Sequence, residues 1–216
     1  MGASPTPRIP MPELLPALSQ RRARRAFEPR PVQPDLLNLL WQAISVAPSH
    51  GNTQSARILL AESAEVHDRL VAALSPGNSH WAGAAPHLFA LVALPAHETP
   101  QENSDGTLRD MWPFNAGIAI GNLMAQATFM GLTAHPMAGF DEPAVRAVFG
   151  APPSVRVLTV VAVGYPGSPD SLPEDLAAKE TMPQERLPLE RILAVDRWDP
   201  VLEVSAREWR KQQQPA

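Results

Sequence analysis

Four stretches of this 216-residue sequence contain residue types that bind charged or planar ligands. The most basic is residues 21–25 (Arg-Arg-Ala-Arg-Arg), four arginines in five positions of a chain with a formal net charge of −4. Guanidinium groups are permanently charged, forked donors that fit phosphate oxygens. The stretch therefore predicts a phosphate site, although an arginine run on a solvated surface has the same composition.

The other three stretches are polar or rich in glycine. Residues 47–54 (Ala-Pro-Ser-His-Gly-Asn-Thr-Gln) offer the donors and acceptors that the edge of a heteroaromatic ring needs, or they form a polar turn. Residues 131–141 are expected to be a glycine-bounded loop after a buried helix, which brings backbone amides close to a ligand or simply ends the helix. Residues 164–166 (Gly-Tyr-Pro) are followed by Arg186.

The composition restricts the chemistry further. The chain contains no cysteine, which excludes disulfides, thiolate metal sites and thiol nucleophiles, so that redox work requires a bound cofactor. No metal site is predicted. The acidic charge balance argues against nucleic-acid binding, because neutralising phosphates needs a surplus of Lys and Arg. The lack of disulfides fits a cytoplasmic protein.

Hydrophobic periodicity predicts the elements that position these stretches. Apolar residues at a spacing of four predict a helix over residues 34–46. Ser63 is a good N-cap for a second helix, which is expected to end before Pro76. Two apolar, β-rich runs, residues 87–94 and 155–165, precede prolines and predict buried strands. A sheet with helices around it follows.

Residues 115–130 are apolar nearly all round. A membrane span is disfavoured, because polar side chains interrupt the run and no basic flank marks an orientation. We expect a buried central helix or a helix at a subunit interface, in which Gly117 and Gly121 let a neighbouring helix approach closely. The apolar circumference is too wide for the surface of a monomer, which favours a dimer.

A polar segment, residues 97–110, is longer than an ordinary connection and predicts a lid. Trp112 and Phe114 beside it are candidates for stacking against a substrate, or they anchor the lid in the core. His50 and His135 are either proton donors near neutral pH or hydrogen-bonded loop residues.

Taken in order, these stretches resemble the nitroreductase family of flavoproteins from about Leu18 to Ile192. The family opens with Arg-Arg-Ser-x-Arg-x-Phe and continues with Ala-Pro-Ser-x-x-Asn-x-Gln-Pro-Trp. It then has a Gly-Leu helix end, Gly-Tyr-Pro, and a late basic residue before Arg-x-Pro. The order and spacing of these pieces, rather than any one of them, carry the resemblance.

The resemblance implies an FMN site. Arg21, Arg25 and Arg186 would neutralise the phosphate, and Arg22 with the backbone of Ala23 would contact the ribityl chain or the ring edge.

Two further groups complete the implied site. Ala138 and Gly139 match a loop whose amides face the flavin near N5. Pro48, Ser49 and Asn52 match a segment that reaches the flavin of the partner subunit, and Asn52 and Gln54 would hydrogen-bond its ring or its chain.

Three positions depart from the family pattern. Ala23 replaces the serine of the opening motif, Ser55-Ala56 replaces Pro-Trp, and Gln184 stands where the late basic residue is expected. These departures predict a lower affinity for FMN.

The implied activity is hydride transfer from NAD(P)H through FMN to small, planar, electron-poor acceptors such as nitroaromatics or quinones. No catalytic acid, base or nucleophile is required, because the flavin carries the chemistry. A nicotinamide that visits the flavin site also explains why the chain has no G-x-G-x-x-G fingerprint.

The implied fold is an α+β sandwich, a mostly antiparallel sheet wrapped by helices, in a homodimer that exchanges C-terminal arms as the last strand. The expected segments are an N-terminal arm (1–17), an FMN-binding domain (18–192) and a C-terminal arm (193–216). Three alternatives remain open: a flavin-binding module with little turnover, a relative with specialised chemistry (dehalogenation, flavin cleavage or azoline oxidation), and a helical interaction protein.

Overall fold

The computed structural model describes residues 13–213, so most of the expected N-terminal arm lies outside the described residues. The chain divides into two compact units, one up to Glu180 and one from Thr181 onward. The helices of the first unit are α1 (Pro16–Ser19), α2 (Pro34–Ser45), α3 (Ala64–Ala72), α4 (Pro76–Ala82), α5 (Trp112–Phe129), α6 (Glu142–Phe149) and α7 (Glu174–Thr181), the last ending one residue beyond it.

Four strands form the main sheet, which is antiparallel throughout and has the order β1-β2-β6-β5. A separate two-stranded hairpin consists of β3 and β4. The strands are β1 (Ala56–Ala61), β2 (His87–Ala93), β3 (Gln101–Glu102), β4 (Leu108–Arg109), β5 (Thr133–Met137) and β6 (Arg156–Gly164).

The two central strands, β2 and β6, are the apolar runs that the sequence predicts as buried strands. Both faces of the sheet are covered by helices, which explains why these runs are apolar without alternation. One core contains Leu40 and Ile44 of α2 and Leu123 of α5, and the other contains Leu70 of α3 and Val145 of α6. The α+β architecture with a mostly antiparallel sheet wrapped by helices is confirmed.

Helix α5 is the apolar run that raised the question of a membrane span. It buries one side against the sheet, through Asn115, Ala116, Ala119, Leu123 and Ala127. Among residues 13–213, no helix combines the length and the apolar character needed to cross a membrane.

Two local predictions differ from the structure, and the structure adds detail to a third. The helix that begins after Ser63 ends at Ala72, and Pro76 opens a new helix, because proline at the first helical position lacks an N–H that would be unpaired there anyway. The expected loop over residues 131–141 contains strand β5. The lid segment is the β3–β4 hairpin, closed by a hydrogen bond of 2.8 Å from Asn103 N to Thr107 O.

The second unit contains helical turns at Leu189–Arg191 and Pro200–Glu203 and the helix α8 (Ala206–Gln213). Residues 181–213 therefore hold helical elements where the resemblance implies an exchanged strand. Prolines begin or precede both turns and interrupt the alternation that a strand needs.

Candidate functional site

The basic stretch, residues 21–25, lies along the free edge of β5. The Thr133 hydroxyl donates to the carbonyl of Arg22 at 3.0 Å. His135 Nδ1 lies 2.9 Å from the carbonyl of Arg24. Side chains of β5 thus fix the backbone of the arginine run, which places its guanidinium groups at one edge of the sheet.

Arg25 contacts Glu180 and Trp81 through its side chain. Its backbone N–H and its Nη1 both donate to Glu180 Oε1, at 3.0 and 3.4 Å. The Glu180 carbonyl also accepts a hydrogen bond of 2.9 Å from Arg22 Nη1. The Arg25 guanidinium lies 6.0 Å from the centre of the Trp81 ring, within the range of a cation–π interaction.

His135 is buried behind these arginines, with its ring centre 4.6 Å from that of Trp81. Burial lowers the pKa of His135 from 6.5 to about 4, and the charges of Arg25 and Arg21 act in the same direction. The hydrogen bond to the Arg24 carbonyl opposes the shift. At neutral pH the imidazole is therefore uncharged and donates its Nδ1 proton to that carbonyl, which is the hydrogen-bonded alternative rather than the proton donor.

Ala138 and Gly139 follow β5 directly, so they lie at the same edge of the sheet as the basic stretch. The Gly139 carbonyl accepts hydrogen bonds of 3.0 Å from Ser75 N and from Asn78 Nδ2. A Cβ on Gly139 would lie 2.9 Å from Asn78 Nδ2 and even closer to the Ser75 hydroxyl. This close approach requires glycine.

Asn78, Trp81 and Glu180 are site residues that sequence reasoning missed. Asn78 and Trp81 belong to α4, which has Ser75 as its N-cap, whereas the sequence pattern predicts that Pro76-Gly77 ends the preceding helix. Glu180 lies at the end of a charged helix, and nothing in its local sequence indicates burial.

The polar loop, residues 48–54, connects α2 to β1. Gly51, Asn52 and Gln54 have left-handed backbone angles, with φ of 58°, 56° and 47°. The Ser49 hydroxyl accepts the Gln54 N–H at 2.9 Å, and the Gln54 side chain donates to Asn52 Oδ1 at 3.0 Å. Pro48, Asn52 and Gln54 are exposed, so the loop presents amide groups to its surroundings.

The sheet order keeps the polar loop away from the basic stretch of the same chain. The loop leads into β1 at one edge, whereas the basic stretch and Gly139 lie at the β5 edge, with two strands between them. Strands are spaced about 4.8 Å apart, which separates the two edges by about 14 Å. The structure thus places Arg21, Arg22, Arg25, Ala138 and Gly139 along the same edge strand of the sheet, and it sets apart the polar loop.

Trp112 and Phe114 both lie in the first turn of α5. Arg156 lies over the Trp112 ring at 5.2 Å, whereas the Phe114 side chain is 60% exposed. Residues two positions apart point to different sides of a helix, so the pair does not form one stacking surface.

Arg186 belongs to the second unit and is exposed. Its guanidinium donates to the Glu185 carbonyl at 2.8 Å and to Gln184 Oε1 at 2.9 Å. Gln184 therefore acts as an acceptor for Arg186, a contact that a basic residue at this position does not provide.

The fold and the site together define a class: an α+β protein with helices on both faces of an antiparallel sheet and an arginine-rich, tryptophan-backed site at one edge. Comparison with known proteins agrees. The model of the nitroreductase family matches residues 18–80 and 71–165, more than half of the chain. The chain belongs to the nitroreductase family.

Individual relatives extend the comparison. A Streptomyces coelicolor protein with the provisional name NADH dehydrogenase/NAD(P)H nitroreductase is 28% identical over 181 residues, 77% of this chain and 90% of the relative. A Stenotrophomonas maltophilia protein with the same provisional name is 32% identical and covers 70% of this chain and 83% of its own length. A crystal structure described as an oxidoreductase containing FMN superposes with a TM-score of 0.76 at 28% identity, over 92% of this chain and 99% of that one.

Proposed function

We propose that the protein is an FMN-dependent oxidoreductase that takes hydride from NAD(P)H and passes it to small, planar, electron-poor acceptors. The observation that carries the proposal is the cluster at the β5 edge, where Trp81 contacts Arg25 and His135 and where Asn78 of the same helix binds Gly139. Family membership and the FMN-containing relative of known structure support the same assignment.

The residues at this edge fit an FMN molecule. Arg21 and Arg25 offer positive charge to a phosphate, and the Glu180 carboxylate offsets only part of it. Gly139 offers backbone in a place where a side chain is excluded. The neutral His135 adds no competing positive charge at pH 7. A bound flavin supplies the two-electron hydride chemistry.

The chain's own groups then have binding and orienting roles. Arg21, Arg25 and Arg186 hold the phosphate, and Arg22 and Ala23 lie along the ribityl chain or ring edge. The amides of Ala138 and Gly139 face the ring. These assignments extend the family resemblance to matched positions.

The proposed enzyme is a homodimer, because one chain does not bring the polar loop to the β5 edge. A partner chain supplies Pro48, Ser49, Asn52 and Gln54 to the flavin site. The outer side of α5 suits an interface: Phe129 is 79% exposed, and a Cβ placed on Gly117 or Gly121 meets no atom within 4 Å.

The exposed ring of Phe114 is the stronger candidate for stacking on a planar acceptor, because Trp112 already contacts Arg156. Acceptors such as nitroaromatics and quinones present the flat, electron-poor face that an aromatic side chain stacks against. A cytoplasmic location remains part of the proposal.

The direct test is the visible absorption spectrum of the purified protein, followed by anaerobic addition of NADH or NADPH. We expect an oxidised flavin spectrum that bleaches with at least one nucleotide and recovers when a quinone is added. A protein that is colourless and does not take up added FMN would refute the assignment. Bound flavin that neither nucleotide reduces would instead indicate a flavin-binding module.

A further inference from the structure

Three side chains form a polar cluster beside the polar loop: the buried Ser55 and Asn115 and the half-buried Glu98. Ser55 is fully buried and Asn115 is 3% exposed. The Ser55 hydroxyl donates to Glu98 Oε1, and Asn115 Nδ2 donates to the same oxygen at 2.8 Å. The other carboxylate oxygen, Glu98 Oε2, is buried without a hydrogen-bond partner. Burying an unpaired carboxylate oxygen is unfavourable, so this glutamate calls for an explanation.

Asn115 links the cluster to the polar loop. Its Oδ1 accepts the backbone N–H of His50 at 2.9 Å, while its Nδ2 faces Glu98. An asparagine amide has one acceptor side and one donor side, so the carboxylate fixes which side faces the loop. Without an acceptor at position 98, the amide still accepts from the His50 N–H but loses the partner of its Nδ2, so its orientation is held less firmly.

The loop needs such a fixed point because its backbone is strained. Asn52 and Gln54 are non-glycine residues with left-handed φ values of 56° and 47°. Conformations of this kind persist only where the surrounding structure holds them. Side-chain contacts that do so here include the Ser49 hydroxyl, which accepts the Gln54 N–H, and Asn115, which accepts the His50 N–H.

We propose that Glu98 is the positioning residue of the polar loop. By orienting the Asn115 amide, it keeps residues 49–54 in the conformation that presents Asn52 and Gln54 to the cofactor. Glu98 lies within the lid segment, residues 97–110, three residues before β3, so it couples this segment to the cofactor loop. The part of this inference that concerns cofactor binding rests on the proposed function, and the part that concerns the loop conformation does not.

The first measurement is the rate of hydrogen exchange at the His50 amide in protein without added cofactor. Mass spectrometry of a peptide covering residues 47–58 reports this rate. Glu98→Met removes the acceptor at similar size, and Asn115→Asp places a second carboxylate against the first. We expect each change to speed exchange in this peptide by about tenfold, the effect of losing a hydrogen bond to a charged group. Glu102→Met, the same substitution at an exposed position of the lid, is the matched control.

The decisive variant is the double change Glu98→Gln with Asn115→Asp, which restores the hydrogen bond with donor and acceptor exchanged. It is expected to return exchange in the 47–58 peptide towards the wild-type rate, with the β5 peptide as internal reference. The positioning role would be overturned if the 47–58 peptide of Glu98→Met exchanged at the wild-type rate. It would also be overturned if the double variant exchanged as fast as the single variants. If the single variants do not fold, the exchange rate of the double variant decides whether Glu98 positions the loop.

The second measurement is FMN affinity from quenching of flavin fluorescence. Glu98→Met is expected to weaken binding by about tenfold, and the double variant to recover it. Faster exchange with unchanged FMN affinity would refute the cofactor part of the inference. If the wild-type chain itself binds no FMN, the proposed function fails, while the exchange data still decide whether Glu98 positions the loop.

Discussion

Glu180 and Arg25 are joined twice, because Glu180 Oε1 accepts both the backbone N–H of Arg25 and its guanidinium Nη1. The Glu180 side chain is 2% exposed and that of Arg25 is 27% exposed. The backbone contact fixes the path of the basic stretch. The contact between the charged groups offsets part of the positive charge that would attract a phosphate. The same carboxylate therefore shapes the proposed phosphate site and weakens it.

Glu180→Gln separates these two effects. The glutamine oxygen still accepts the Arg25 N–H, but the negative charge is gone, so we expect FMN to bind about tenfold more tightly. Riboflavin has no phosphate and is expected to bind unchanged. Flavin fluorescence titrations with both ligands check this. An equal change for both ligands would contradict the electrostatic explanation.

The sequence predicts the interior of this fold better than its edges. The expected strands over 87–94 and 155–165 are observed at His87–Ala93 and Arg156–Gly164, and the helix over 34–46 is observed at Pro34–Ser45. Each of these has a strong periodicity or an apolar run. Strand β5 (Thr-Ala-His-Pro-Met) has neither, and it tolerates Pro136 because it lies at the edge of the sheet, where a backbone N–H is not needed on the outer side.

The residues of the candidate site also divide into those that the sequence predicts and those that it does not. The arginine run and the polar loop carry local composition that predicts ligand contact. Trp81 and Glu180 do not, because they reach the site through tertiary packing: Trp81 lies more than fifty residues from His135 in sequence, and Glu180 lies more than 150 from Arg25. No local pattern encodes such contacts, so only the structure reveals them.

His135 is expected to make stability depend on pH. Its pKa is about 4 in the folded chain, below the ordinary histidine value of 6.5, so the unfolded chain takes up the proton first as pH falls. The neutral His135 imidazole makes its full contribution to stability above about pH 6.5, and this contribution is lost as pH falls towards 4. At pH 5 the expected loss is about 2 kcal/mol.

Urea denaturation at pH 8 and at pH 5 tests this dependence. His135→Asn keeps a donor for the Arg24 carbonyl but has no titrating ring, so its difference between the two pH values should be about 2 kcal/mol smaller than that of the wild type. His80→Asn, at an exposed histidine, should keep the wild-type difference. Equal pH differences in wild type and His135→Asn would show that folding does not lower the pKa of His135.

Ala56 faces a cavity of about 230 Å³ that Trp41, Ile44 and Ala119 also line. The family pattern has tryptophan at this position, so the small side chain leaves space between β1 and the helices α2 and α5. Ala56→Leu places apolar atoms there, and we expect it to stabilise the fold by about 1 kcal/mol and raise the thermal midpoint by about 2–4 °C. Ala64→Leu, on an exposed helix position, is the control. A lower midpoint for Ala56→Leu would mean that the cavity walls do not accommodate the larger side chain.

The outer side of α5 gives the test of assembly. Gly117 is exposed and a Cβ there meets no atom within 4 Å, so Gly117→Arg is expected to fold as the wild type does within one chain. At an interface, a buried arginine without a partner is strongly unfavourable, and the molar mass from light scattering should fall from twice 23.4 kDa to 23.4 kDa. FMN affinity should fall with it, because the polar loop of the second chain is lost from the site. Ala72→Arg, on the exposed end of α3, should leave both properties unchanged.

A Gly117→Arg protein that stays dimeric would place the interface elsewhere. One that becomes monomeric and keeps full FMN affinity would show that the polar loop does not complete the partner's site.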